Sequence, residues 1–473
     1  MKELIKLSIL ILIFVLFSNC EDSNEEPFLF SGDNFSRTDF PDPNFFLALI
    51  GLDIYDNNGN LIYNPDSVLF LNVSEMDITD LSGIEIFRNL EVLICSHNQL
   101  KSLDVSKNKN LTTLDFSYNQ IYTITLNNPL LEKLIGYENR LISIDIQTSP
   151  LLKILQMSNN NLDTLNLSQN KNLEEIYVSE NNLSTLDVSH CKSLRALHCK
   201  QNNLVSLIAN SLPALQEIDV DKNRLTNLSA NNNPSLRVLR CYQNYLESID
   251  VSGSTGLIYL ELNVNRLTSL TVSDNTALEY LNCNNNLLTS LDVSKNENLK
   301  YLALSSNNLE EIDVTNNVKL EYLYVSGNQL DVLDVSNNTL LEILGCGDNN
   351  LTSLDVSNNI LLYELGCDVN PLGTLDLSNN IHLGRLNCGS NQLSALDVSN
   401  NTELISIYCS DNPLQKLDLT ANKKLRIIWI KYMPTLKCVG IWTMPFPPDN
   451  VTVYAEDSPN IAFTTNFGDC DIE

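Results

Sequence analysis

Basic residues and histidine are scarce in this 473-residue chain: 29 Lys and Arg face 58 Asp and Glu, and the formal charge is −29. Phosphate backbones and anionic bilayers are held by basic tracks, so this balance argues against nucleic acid and anionic membrane surfaces as partners. The excess charge is more simply a solubility device. Four histidines, His97, His190, His198 and His382, are scattered, and neither a nucleophile motif nor a glycine-rich phosphate loop is present. Carboxylate pairs such as Glu310-Glu311 are commonplace in so acidic a chain. No reaction centre, metal or cofactor is therefore expected. Long apolar runs are also missing, since the one stretch near the N-terminus, Leu7 to Phe17, is too short to span a bilayer. The chain between Leu90 and Leu425 is dominated outside its apolar positions by Asp, Ser and Asn, which are poor helix formers, so almost no helix is expected there.

What the chain does have is a period of about 21 residues. Sixteen asparagines, from Asn98, Asn119 and Asn139 to Asn370, Asn391 and Asn412, sit in a frame Leu-x-x-Leu-x-(Cys/Val/Leu)-x-x-Asn-x-Leu, as in Leu278-Glu279-Tyr280-Leu281-Asn282-Cys283-Asn284-Asn285-Asn286-Leu287-Leu288. A fixed period in this range marks a solenoid, and this spacing is that of the leucine-rich repeat. About eighteen coils are expected, in a stack roughly 85 Å long at the strand spacing of ~4.8 Å.

Each coil is itself double. Leu90, Leu93, Cys95 and Asn98 are followed by Leu100, Leu103, Val105 and Asn108. Leu-x-Val alternation is strand-like. The spacing therefore predicts a predominantly β solenoid with one parallel ladder from the first half-coil and a second ladder of short strands or extended turns. Asn would stand where each strand turns away, its side-chain amide satisfying main-chain groups that lack ladder partners. Met76 and Met433 replace it in the outermost coils.

Eight cysteines, Cys95, Cys199, Cys241, Cys283, Cys346, Cys367, Cys388 and Cys409, share the sixth position of their coils, which elsewhere holds Phe116, Met157, Val178, Leu262 or Val325. Interchange with apolar residues predicts inward-facing, reduced thiols. Neighbouring coils bring such positions within about 5 Å, but side chains stacked in register point the same way, so bridges would be strained. Cys191 occupies a second-half Asn position and reads as a buried substitute. Cys438 and Cys470 lie outside the pattern and are expected to close the C-terminal end as a disulfide.

The two ends differ from the coils. Residues 1–19 read as a secretory signal peptide, with Lys2 and Lys6 before the apolar run. Phe17-Ser18-Asn19-Cys20 resembles a bacterial lipobox, in which Cys20 is lipidated; secretion with an incidental Cys is the competing reading. Residues 20–40 form an acidic tether that resembles the export signal of surface-displayed lipoproteins in some Gram-negative bacteria. Residues 41–67 read as an N-terminal cap whose Pro43–Ile50 segment suits a short amphipathic helix. Asp53 to Asn60 superficially resembles a calcium loop. Aligning Gly59 with the glycine such loops require puts Ile54 and Pro65 at ligand positions, so an Asx-rich turn or hairpin is expected instead. Residues 68–436 carry the repeats, and 437–473 the C-terminal cap.

Pro41-Asp42-Pro43-Asn44-Phe45, Ile78-Thr79-Asp80-Leu81-Ser82-Gly83-Ile84-Glu85 and the Leu-Asp-Val-Ser coils together resemble exported bacterial leucine-rich repeat proteins, broadly internalin-like, over roughly Pro41 to Cys470. The resemblance implies protein binding on the concave face. The coils here depart from that pattern in length and in their frequent Cys. Outward positions of the second half are monotonous and place Asp292, Asp313, Asp334, Asp355, Asp376, Asp397 and Asp418 in one column, held by local hydrogen bonds or, as the alternative, by calcium. Outward positions of the first half vary, as a recognition face should. They hold Tyr259, Tyr280, Tyr301 and Tyr322 in successive coils, with Tyr242, Tyr324, Tyr408 and Trp429 on the same face. These eight are the candidate ligand-binding residues, with cross-strand ring packing as the competing explanation. The sequence thus reads as a monomeric, lipid-anchored, outer-membrane surface protein that binds a protein ligand or, alternatively, a surface glycan. A structural coat role comes third.

Overall fold

A computed structural model describes residues 37–458 and 461–470; the leader, Cys20 and the acidic stretch that follows it lie outside the described residues. Nineteen parallel strands form one sheet, from Phe70–Asn72 to Thr452–Tyr454. Each strand is only three residues long, with a Leu or other aliphatic residue pointing in and its two neighbours pointing out. Register is kept from coil to coil, with Leu260, Leu281, Leu302 and Leu323 aligned as Tyr259, Tyr280, Tyr301 and Tyr322 are. The second half-coils form a ladder only in places: Ser102–Asp104 with Thr123–Thr125, Ser206–Ile208 with Asn227–Ser229, and Lys416–Asp418 with Cys438–Gly440 and Ala462–Thr464. Elsewhere they are extended turns. Every described element between Leu90 and Leu425 is a strand, as the half-repeat predicts. No described helix is long and apolar enough to cross a membrane.

The core is a thin stack of Leu, Ile, Val and Cys between the two half-coils, most of it fully buried. Each such side chain contributes about 1.5–3 kcal/mol by leaving water. Because a coil touches only its neighbours, stability is a sum of local terms.

Two asparagine columns stitch the coils together by different means. In the first, Asn307 is representative. Its Oδ1 accepts from Leu288 N–H of the preceding coil at 3.0 Å, and its Nδ2 donates to Cys283 O of that coil at 3.0 Å and to Leu304 O of its own at 2.9 Å. In the second column, Asn317 Nδ2 donates to Val293 O and Asn296 O, while its buried Oδ1 has no partner. Cys191 takes a place in this second column, buried, with its thiol 3.8 Å from Asn170 O. Beyond Met433, Ser458 supplies the missing function, accepting from Met433 N–H at 2.9 Å and donating to Ile430 O at 2.6 Å.

Just before the first-column Asn the chain adopts a left-handed conformation in coil after coil, for instance at His97 (φ 55°), Asn285 (φ 55°) and Ser306 (φ 57°). Even Val264 and Val369 do so, at φ 57° and 53°. For a β-branched residue this costs about 1–2 kcal/mol or more. It is held in place by coil-to-coil bonds such as Ser306 N–H to Ser326 O at 2.8 Å.

The ends are closed separately. Helix Pro43–Gly51 packs Phe45, Phe46, Ala48 and Leu49 inward. Asp42 caps it through Asn44 N–H and Phe45 N–H, and its other oxygen accepts from Thr79 N–H at 2.7 Å, Thr79 Oγ1 at 2.6 Å and Asp80 N–H at 3.1 Å. Burial raises the pKa of this carboxyl, but those hydrogen bonds outweigh it and hold it below its usual value. One side chain thus starts the helix and ties it to the first coil. The Asp53–Asn60 segment is an Asx-rich turn: Asp56 Oδ1 accepts from Asn58 N–H and Asn60 N–H, and Tyr55 bridges Leu61 antiparallel. At the other end both ladders continue past residue 436, and a Cys438–Cys470 disulfide with a Cα separation of 5.6 Å fastens the final turn to the second ladder. The eight ladder cysteines and Cys191 are free and buried. Burial pushes these thiols up, Cys346 and Cys409 to about 12 and Cys191 to about 11, so they stay protonated and unreactive at neutral pH.

Candidate functional site

The monotonous face holds its charge by local bonding. Oδ1 of Asp292, Asp334, Asp355, Asp376 and Asp397 each accepts from the N–H of the Ser two residues on, at 2.8–2.9 Å. Asp313 and Asp418 accept in addition from the hydroxyls of Thr315 and Thr420. These bonds keep Asp292, Asp313 and Asp334 below the usual carboxylate range. Among the described residues no group of three or more His, Cys, Asp or Glu is gathered as a metal site.

The first-ladder face brings seven of the eight candidate aromatics into two groups and leaves Tyr242 apart from both. Position and register explain the grouping: residues flanking the central Leu of each strand point outward, and successive coils place them about 4.8 Å apart. Tyr259, Tyr280 and Tyr301 stack face to face, with centroids 4.1 and 4.4 Å apart and planes within 8° and 11°. Tyr322 and Tyr324 tilt against Tyr301 at 6.1 and 5.6 Å. The second group is Tyr408 and Trp429, 5.8 Å apart, with Tyr454 4.2 Å beyond Trp429. All eight candidates are half-buried.

Within the stack the rings cover one another, leaving edges and hydroxyls to solvent. The protein's own cations cover further faces. Arg240 lies over Tyr259 at 5.0 Å, and Lys431 over Trp429 at 4.6 Å and Tyr454 at 5.3 Å. Those cations are already paired, Arg240 with Glu217 at 2.6 Å and Lys431 with Glu456 at 3.1 Å. Hydroxyls are partly engaged too: Tyr259 donates to Glu261 at 2.9 Å and Tyr322 to Glu342 at 3.2 Å. Burial and the hydrogen-bonded neighbours Tyr280 and Glu261 push the Tyr259 phenol well up, so it stays neutral.

Tyr242 flanks an acidic group at the stack's N-terminal side. Its N–H donates to Asp221 Oδ1 at 2.7 Å. Burial, then the neighbouring Asp219 charge, push the Asp221 carboxyl up to about 7. Glu217 bridges Arg240 and, at 3.6 Å, His198.

Three features escape a reading of the repeats. Tyr454 joins the second group although it follows Trp429 by 25 residues, because the Pro-rich stretch after Thr443 lengthens that coil. A lesser aromatic cluster, His97 stacked on Tyr118 at 4.2 Å with Tyr137 beyond at 5.1 Å, lies toward the N-terminus at the rim of the same face. Between the two main groups, glycines Gly345 and Gly366 stand in the row that carries Tyr324 one coil before them and Tyr408 two coils after. The signal was present, since a comparison of outward positions coil by coil exposes this gap.

No protein-family model matches the chain, and no curated protein sequence does. Solved structures do. A leucine-rich repeat protein of Leptospira interrogans shares 25% identity over 74% of this chain and 92% of its own, with a TM-score of 0.58. YopM from Yersinia enterocolitica shares 22% over 85% and 92%, with a TM-score of 0.62. The functional domain of InlJ from Listeria monocytogenes, described as including a cysteine ladder, shares 27% over 86% and 76%, with a TM-score of 0.43. The fold is thus a leucine-rich repeat solenoid, and its structural neighbours are leucine-rich repeat proteins.

Proposed function

We propose that this is a non-enzymatic cell-surface protein that binds a protein ligand through the first-ladder face and is held to the outer membrane of a Gram-negative bacterium by lipid on Cys20. The contrast between the two faces carries the reading. One face repeats the same Asp-Ser bonding in coil after coil, whereas the other changes its outward residues and concentrates aromatics. Aromatic clusters on a rigid sheet are the usual anchors of protein interfaces, because they give contact area with little conformational entropy to lose.

Glycan capture is the second reading, and the same rings weigh against it. Sugars pack on open aromatic faces, yet the faces of Tyr280 are covered by Tyr259 and Tyr301, and Trp429 carries Lys431. Edges and hydroxyls, which are what remain, suit the mixed polar and apolar surface of a protein.

Tyr280→Ala and Tyr301→Ala should each weaken binding of a protein captured by the purified wild-type chain by roughly 1–3 kcal/mol, while Ser336→Ala on the opposite face changes nothing. Calorimetry of binding and of unfolding separates the roles. Intact binding with a melting temperature several degrees lower would assign the stack to sheet packing. A glycan array run in parallel decides between the two ligand classes. For the anchor, Cys20→Ser should shift the protein from the membrane to the soluble fraction, and unchanged fractionation would end the lipidation reading.

A further inference from the structure

The gap between the two aromatic groups is a built notch. Along the outward row Tyr324, Gly345, Gly366, Asn387 and Tyr408, two successive coils carry no side chain. Tyr324 and Tyr408 are four coils apart, about 19 Å at the strand spacing. Tyr324 leans in from one end, its ring carbon 3.2 Å from where a Cβ on Gly345 would stand. Above Gly366 the space is open: a Cβ there would meet nothing nearer than 4.0 Å. One of the two atoms at that distance is Oδ1 of Asp368.

Asp368 is placed there by a third glycine. Its carboxylate lies so close over Gly347 that a Cβ on that residue would fall 2.6 Å from Oδ1. Only glycine permits this seat. The carboxylate is half-buried, and no cation pairs with it among the described residues. Burial raises its pKa against hydrogen bonds from its own main chain and from the Asn387 side chain, with nearby Asp348 adding a smaller rise. Arg385, on the next strand of this face, is engaged by Glu364 at 3.2 Å. Those hydrogen bonds offset part of the cost of half-burying the carboxylate, and a cation would offset more. An aromatic wall beside it offers a second attraction for a cation. Val369, exposed and held at φ 53°, forms part of the rim.

Resting on the reading that a protein binds this face, we propose that the Gly345–Gly366 notch takes a basic side chain, Arg or Lys, of that partner, its alkyl stem on the glycine floor, its charge on Asp368 and its flank against Tyr324. The three glycines and the aspartate then have one purpose: depth, and a carboxylate at the bottom of it. Within a chain of charge −29, general attraction brings basic partners near, and the notch selects where one of their side chains seats.

The test uses a fluorescein-labelled Gly-Arg-Gly-Arg-Gly-Arg peptide and its citrulline counterpart, which keeps the shape and lacks the charge, titrated into the full-length protein. The arginine peptide should bind and the citrulline peptide should not. Asp368→Asn and Gly366→Leu should each weaken the arginine peptide at least fivefold with melting temperatures near wild type. Asp355→Asn, which removes the same charge from the opposite face, should leave binding as it was. Equal effects of Asp368→Asn and Asp355→Asn would reduce the attraction to bulk acidity and overturn the proposal, as would undiminished binding to Gly366→Leu. A captured protein that responds to Tyr280→Ala but to neither notch variant would remove the notch and leave the protein-binding reading standing. Capture of glycans alone would remove that reading, and the peptide titration would still decide the notch.

Discussion

Replacing Asn307 by alanine is expected to lower stability by about 2–4 kcal/mol, because it leaves one buried main-chain N–H unmet, at about 1–3 kcal/mol, and takes one of two donors from each of two buried carbonyls. The N–H is that of Leu288 in the preceding coil; the carbonyls are those of Cys283, which keeps Asn286 Nδ2, and Leu304, which keeps Asn328 Nδ2. Asn317→Ala, in the second column, is the matched comparison. That side chain serves only two carbonyls and buries an Oδ1 with no acceptor role, so its removal relieves one unmet group, while Val293 O keeps Asn296 N–H and Asn296 O keeps Leu299 N–H. A loss of about 1–2 kcal/mol is expected there. Both variants should be measured by chemical denaturation followed by circular dichroism, with hydrogen exchange to locate the opening near the altered coil. Equal losses in the two variants would show that the amide's acceptor half contributes nothing, contrary to the geometry.

The second large effect concerns one unusual pair in the core. At the sixth position, where other coils hold Cys, Val, Leu, Ile or Met, one coil holds Phe116 and the next Gly136. Phe116 is fully buried, and a Cβ on Gly136 would fall 2.1 Å from its ring tip. The ring of one coil occupies the volume that the next coil leaves empty. Phe116→Ala should therefore cost about 3–5 kcal/mol through lost burial and a cavity with no neighbour able to fill it. Gly136→Val alone should overpack the slot and cost about 1–3 kcal/mol or more. Making both positions Val restores the pairing that the other coils use. The double variant should then be at least about 2 kcal/mol more stable than the sum of the Phe116→Val and Gly136→Val losses, each measured alone, implies. Strict additivity in this double-mutant cycle would mean that the two side chains do not share one volume.

Much of this was legible in the repeats, for a definite reason. A solenoid coil can bury its apolar face only against its neighbours, so a periodic sequence has a periodic structure. Asn98 to Asn412 located the strand exits, the Cys/Phe/Val interchange located the inward slot, and the Asp-Ser column foretold its own local hydrogen bonds. Cys191 was readable as an inward substitute because the half-coil frame told where it stood. The Cys438–Cys470 bridge was readable from two cysteines that stand outside the frame. Ser458 and Tyr454 were not, since the 25-residue final coil breaks the count.

The sequence by itself determined the solenoid, its register, its two unlike faces and which residues point outward, since all of these follow from period and side-chain alternation. Only the tertiary structure decided what the outward residues do to one another. Ring stacking at 4.1 Å, the placing of Arg240 and Lys431 over aromatic faces, and the leaning of Asp368 over Gly347 depend on rotamers and on the bulk of the neighbour one coil away. The period brings such side chains to within about 5 Å of each other but leaves their torsions free. A glycine that reads as a blank in the repeat becomes the floor of a notch only when the walls on either side are in place.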